Sequence, residues 1–234
     1  MHSLYSQPNS APIKPSSDKS WSGQKYQFDI STYGIGDKGR EAAEHFIETG
    51  FQHAYNASIK VSTPWILAIN NGAFKAALGI RSAHERLFLE QYLAAPIETM
   101  VNQYIPVRRA GIAEIAHLYS NSNKFTLPLF LITAVALFTN GFAAMTFSAT
   151  SHVQSLIQRA GIITHELASA DPSKLQQRAA NWGSYYQTEP KVVAVSLRNV
   201  MQVINSSARY RKMFELLTDK IAHTVCALQA GDIA

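Results

Sequence analysis

The alternation of apolar and polar positions divides the chain into short blocks whose period changes several times. In "HFIETGFQHAYNASI", Phe46, Ile47, Phe51, Ala54, Tyr55 and Ile59 recur at helical spacing, with Gly50 as an interruption. "TPWILAIN" and "FKAALGIRSA" read as strands joined by a tight turn at "NNG", residues 70–72. A short apolar segment "LFLEQYL" precedes a helix in "PIETMVNQYI", and "RRAGIAEIAHLYS" carries a strand over 112–118.

From Lys124 to Arg159 no side chain other than the two ends is formally charged, a length that raises the question of a membrane span. The punctuation answers it. Asn140-Gly141 stops a helix, Pro128 suits a first turn and Thr126 a cap, so the pattern predicts a helix over 127–139. "FAAMTFSAT" then reads as a buried strand, and Val153, Leu156, Ile157 and Ala160 as one face of a following helix ended by Gly161. No Lys/Arg cluster or aromatic belt flanks the stretch, so it is expected to be core. "KVVAVSLRN" is a last strand, and Leu217, Ile221 and Val225 mark an amphipathic C-terminal helix within 201–234. The predicted fold class is α/β (α+β): a mixed central sheet flanked by helices, over 27–200, with that helix added.

Composition narrows the class. With 234 residues, 47% hydrophobic and 16% charged, the chain supports one sizeable core. Residues 1–26 are rich in Ser and Pro and have no apolar signal core; they read as a disordered tail of a cytoplasmic protein. The net charge of +5 permits an acidic partner, but basic residues cluster only at Arg108-Arg109 and in "RYRK", too little for a nucleic-acid footprint. Cys226 is the single cysteine, and no Cys/His cluster has zinc spacing, so no metal is expected.

The succession "GIAEIAHLYS", "LPLFLITAVALFTNGFAAMTFSAT" and "SHVQSLIQRAGI" resembles the central half of the GCN5-related N-acyltransferases. Within them it is most similar to the acyl-homoserine-lactone synthases, whose corresponding strand reads Glu-x-Ser-Arg-Phe and whose preceding hairpin carries Gly-x-Arg. Here Gly79-Ile80-Arg81 and Glu114 match, while Ala116 and His117 replace Ser and Arg. Over roughly 46–198, "GFQHAYNASI", "LGIRSAHERLFLEQYL", "AEIAHLYS", "FSAT" and "WGSYYQTEPKVVA" together resemble the thermostable hemolysin family. The resemblance implies an acyltransferase-like fold and an acyl thioester donor, on acyl carrier protein or coenzyme A, with a small amine as acceptor.

It also implies roles. Glu114 accepts the amine's proton and Arg81 orients it or binds an acidic group of the acceptor. The pantetheine arm enters beside the strand carrying Phe147 and Ser148, and Tyr119, Lys124 and Thr126 complete the acyl and pantetheine contacts. The family's glycine-rich pyrophosphate turn is absent, which permits a carrier protein as donor. The general-acid tyrosine of the superfamily would fall at Ile157, leaving Tyr119, Tyr185 and Tyr186 as candidates. Trp182, Tyr185 and Tyr186 line an acceptor pocket, or equally close the end of the sheet.

Simpler readings stand beside these. Glu114 can pair with Arg108 or Arg109, Arg81 can form a hairpin salt bridge, and strict alternation turns His117 away from Glu114. Two other functions remain open: a membrane-active protein contacting lipid through its basic C-terminal helix, and a non-catalytic binder of a carrier protein.

Overall fold

The computed structural model describes residues 27–231 and residue 233; the expected tail at 1–26 lies outside the described residues. Among the described residues seven strands form one sheet: β1 (Asp29–Tyr33), β2 (Trp65–Asn70), β3 (Phe74–Ser82), β4 (Ile112–Ser120), β5 (Ala144–Ala149), β6 (His165–Ser169) and β7 (Lys191–Ser196). Their order is β1-β2-β3-β4-β5-β7-β6. Of these strands only β4 and β5 run parallel; the helix α3 (Asn123–Thr139) supplies the crossover that a parallel pair requires.

Side-chain alternation sends Leu67, Ile69, Leu78, Ile80, Ala113 and Met145 to one face. There α3 lies on the sheet, and α5 (Leu197–Ser206) and α6 (Ala208–Ala230) lie on α3. The other face holds α1 (Arg40–Tyr55) over β2–β4 and the segment containing α2 (Ile97–Asn102) beside it. The charge-free stretch is thereby explained. Helix α3 is covered by sheet below and helices above, so an apolar surface all round is what its position demands. At 17 residues it spans about 25 Å, and no helix of the described residues is long and apolar enough to cross a membrane.

Several boundaries differ from expectation. Helix α3 starts at Asn123, with Ser122 rather than Thr126 at its cap position, and Pro128 lies inside it. Burial of Phe125 against Phe28, rings 6.2 Å apart and edge-on, draws the extra turn into helix. The sequence pattern also missed β1 and β6. Both are edge strands with half-exposed positions, so their alternation is weak. The C-terminal region is two helices, with Ser207 capping α6 by accepting from the Tyr210 N–H.

Candidate active site

Strands β4 and β5 pair only through Ile112–Glu114 and Ala144–Thr146. Beyond Glu114 they part: β4 runs on beside β3 and β5 beside β7. The gap leads into a cavity of about 50 Å³ walled by Ile115 and Leu118 of β4 and by Phe147, Ser148 and Thr150 on the β5 side. Phe51, Tyr55 and Tyr185 close it, and the Tyr185 hydroxyl donates to the Ser148 carbonyl at 3.4 Å.

Glu114 sits where the gap opens and is 2% exposed. Its carboxylate accepts from the Phe88 and Leu89 N–H groups, each at 2.9 Å. Burial pushes its pKa up, while those donors and the Arg81 charge pull it back. The expected alternative partner is engaged elsewhere: Arg109 pairs with Glu90 at 2.7 Å and Glu98 at 2.8 Å. Held this way, and accepting from Leu87 and Ile97 as well, Glu90 has its pKa lowered to about 2. Two buried or half-buried carboxylates thus fasten the 87–98 segment over the sheet.

Arg81 lies opposite Glu114 in the β3–β4 register. Among the described residues no ion pair joins the two; one Arg81 Nη donates instead to the Ser62 carbonyl at 2.8 Å.

His117 departs from the alternation rule. Pairing runs Gly79–Ala116 and then Ala77–Tyr119, so His117 and Leu118 together face Leu78. This is a β-bulge, and His117 takes a φ of 54°. The extra residue reverses the side-chain phase. Leu118 turns to the α3 core, and His117 turns to the side of Glu114, where its ring stacks on Trp182 at 6.3 Å and 9°. The expectation that it faces away from the acid is therefore corrected. Burial and the Arg81 charge hold its pKa down at about 4, against a smaller pull from Glu48, so the imidazole is neutral at pH 7.

The three aromatic residues come together on this same side. Trp182 touches Phe51, Phe88, Tyr185 and Tyr186. The Tyr186 and Tyr92 hydroxyls are 2.6 Å apart; burial raises the Tyr92 and Tyr185 phenols and pushes Tyr186 up to about 12. Tyr92, Phe88 and His117 were not legible as site residues, because a short 3-10 helix, Phe88–Tyr92, and a bulge bring them in.

Other expected residues lie elsewhere. Tyr119 packs on Phe46 and beneath Gly50, not on the cavity wall. Thr126 is buried in the first turns of α3. Lys124 lines a separate groove of about 240 Å³, with Arg159 of α4 (Ser151–Arg159) and Arg209 of α6. Phe147 and Ser148 do line the gap. Among the described residues no cluster of three His, Cys, Asp or Glu side chains could hold a metal ion.

This mixed sheet, with helices on both faces, is the fold of the acyl-homoserine-lactone synthases. The chain is similar to the crystal structure of the AHL synthase LasI, with a TM-score of 0.52 and 11% identity over 74% of this chain and 91% of that one. It is similar to TofI in a ternary complex with an inhibitor and MTA, with a TM-score of 0.51, 8% identity, and 75% and 95% of the chains covered. For BjaI, a CoA-dependent acyl-homoserine lactone synthase solved with SAM and isopentyl-CoA, the TM-score is 0.52, with 10% identity and 84% and 98% covered. The thermostable hemolysin family model matches residues 34–201, and the chain belongs to that family. No curated protein matches its sequence.

Proposed function

We propose that the protein is an N-acyltransferase that moves a fatty acyl group from a thioester, carried on acyl carrier protein or coenzyme A, to a small amine. The observation that carries this reading is the parting of β4 and β5 immediately after a buried carboxylate, over an apolar gap. Such a gap suits a narrow pantetheine arm, which pairs with strand backbone while its acyl chain meets aliphatic and aromatic walls. The fold shared with a synthase that acts on acyl-CoA supports the donor class. The basic groove at Lys124 and Arg159 suits the donor's phosphate, and the positive net charge suits an acidic carrier. Trp182, Tyr185 and Tyr186 form the acceptor side, and Glu114, accepting from the Phe88 and Leu89 N–H groups, positions the segment that closes it, with Arg81 opposite Glu114 in the register. The residues from 27 to 200 are then the catalytic unit, working in the cytoplasm where acyl thioesters are made.

The membrane-active alternative draws little support from α6. Its buried residues Met213, Leu217, Ile221 and Leu228 belong to the main core. The lytic family name fits a surfactant-like acyl amide as product.

The test is mass spectrometry of lipid extracts from cells expressing wild type and Glu114→Gln. An acyl amide found with wild type, and at least tenfold reduced with the variant, is expected. Identical extracts from wild type and vector controls, together with dye leakage from anionic vesicles by the pure protein, would overturn the proposal.

A further inference from the structure

Among the described residues, three buried side-chain polar atoms have no hydrogen-bond partner: Thr63 Oγ1, Arg81 Nε and His117 Nδ1. They belong to one place. A Cβ added to Gly79 would lie 2.1 Å from Thr63 Oγ1, so the threonine hydroxyl rests directly on β3 at that residue. Arg81 is two residues along the same strand and therefore on the same side. Gly79 pairs with Ala116, beside the bulge that presents His117, and the Arg81 charge acts on the His117 ring. Buried polar groups are nearly always satisfied, so three open ones together mark a site built for something polar.

Their surroundings are rigid. Arg40, 8% exposed, donates to the Thr63 carbonyl at 2.6 Å and the Pro64 carbonyl at 2.8 Å. Arg81 holds the Ser62 carbonyl from the other side. Residues 62–64 are thus clamped by two guanidinium groups, yet the Thr63 hydroxyl is left open. Arg81 and Pro64 also border a cavity of about 380 Å³, whose wall includes neither Thr63 nor His117.

We propose that Thr63, Arg81 and His117 form the seat of the acceptor's polar head, an amine flanked by a carboxylate, and that His117 takes the amine's proton. The inference rests on the acyl-transfer reading for its chemistry, though not for the seat. Two open donors, the Arg81 Nε–H and the Thr63 hydroxyl, match the two oxygens of one carboxylate. Glu114 already accepts an N–H at each oxygen, whereas the His117 Nδ1 lone pair is free when Nε2 carries the proton. Being neutral at pH 7, that imidazole is in its accepting form. In the reaction the amine lone pair bonds the thioester carbonyl carbon as its N–H proton passes to His117. The C–S bond then breaks with its electron pair on sulfur, and the proton on His117 passes to sulfur, giving amide and free thiol. Glu48 of α1 and Arg81 of β3 are the charged groups that act on His117, and Trp182 covers its face.

The test separates seat from chemistry. The protein labelled with 15N-histidine is titrated with each of the common amino acids and with the matching amine that lacks the carboxylate, such as L-leucine against 3-methylbutylamine. At least one amino acid is expected to shift the His117 nitrogen resonances, with its amine binding at least tenfold more weakly. Thr63→Val should weaken that binding about tenfold and Thr63→Ser restore it. With decanoyl-CoA or decanoyl carrier protein as donor, His117→Asn should lower kcat about 100-fold, far more than it weakens the amino acid's Kd. No shift with any amino acid, equal Kd for acid and amine, or no effect of Thr63→Val overturns the seat. An unchanged kcat in His117→Asn overturns the proton transfer. Wild type that binds with these preferences and releases no thiol overturns acyl transfer while the seat stands.

Discussion

At the scale of single residues, the site is governed by how buried charge is held. Glu90 and His117 titrate in different pH windows, and both make the fold acid-sensitive. His117 has a folded pKa of about 4, below its unfolded value of 6.5, so between these values the unfolded chain binds more protons and stability falls as pH falls. Glu90, lowered from 4.5 to about 2, contributes stability above 4.5 that is lost as pH drops through about 2. Urea melts at pH 7, 5 and 3 should show stepwise loss, and His117→Asn should flatten the step between pH 7 and 5 while keeping the lower one. An equal step in the variant would mean that His117 titrates alike in both states. Glu114 was legible from sequence because an acid inside "IAEIAHL" demands compensation when buried. Its partners, the Phe88 and Leu89 N–H groups, were not, since they come from the 3-10 helix Phe88–Tyr92, 25 residues away or more.

At the scale of elements, the bulge in β4 and the break in helix propensity of α1 have the same kind of cause. Gly50 weakens α1 on propensity alone, and an exposed Gly→Ala there would gain about 1 kcal/mol. The structure reverses that sign. A Cβ at Gly50 would stand 2.3 Å from the Tyr119 ring, so the helix lies directly on the tyrosine that follows the bulge. Gly50→Ala is therefore expected to lower stability by about 2 kcal/mol, as overpacking does. Gly50→Ala with Tyr119→Leu should recover much of it. Thermal melts of the two variants decide this; a stabilised single variant would show that α1 has slack. The strand and its acid were readable from "GIAEIAHLYS", but the phase of residues beyond Ala116 was not. One unpaired residue shifts every later side chain to the other face, and nothing in the local pattern announces it.

At the scale of the whole molecule, α6 completes the core. Its Leu217, 1% exposed, joins the cluster that includes α3 and the sheet. Leu217→Ala should cost about 3 kcal/mol with full loss of cooperativity nowhere in the transition, as for a buried leucine in a single core. A change below 1 kcal/mol in denaturant melts would instead make α6 a separable appendage. The apolar periodicity by itself determined the sheet's inner strands, the central helix and the rejection of a membrane span, because each is a property of neighbouring residues along the chain. The edge strands, the bulge that turns His117 toward Glu114, the two-guanidinium clamp on residues 62–64 and the parting of β4 from β5 were decided only by the tertiary structure. Each of these joins segments distant in sequence, and their balance of burial, hydrogen bonding and backbone strain exists only once those segments have met.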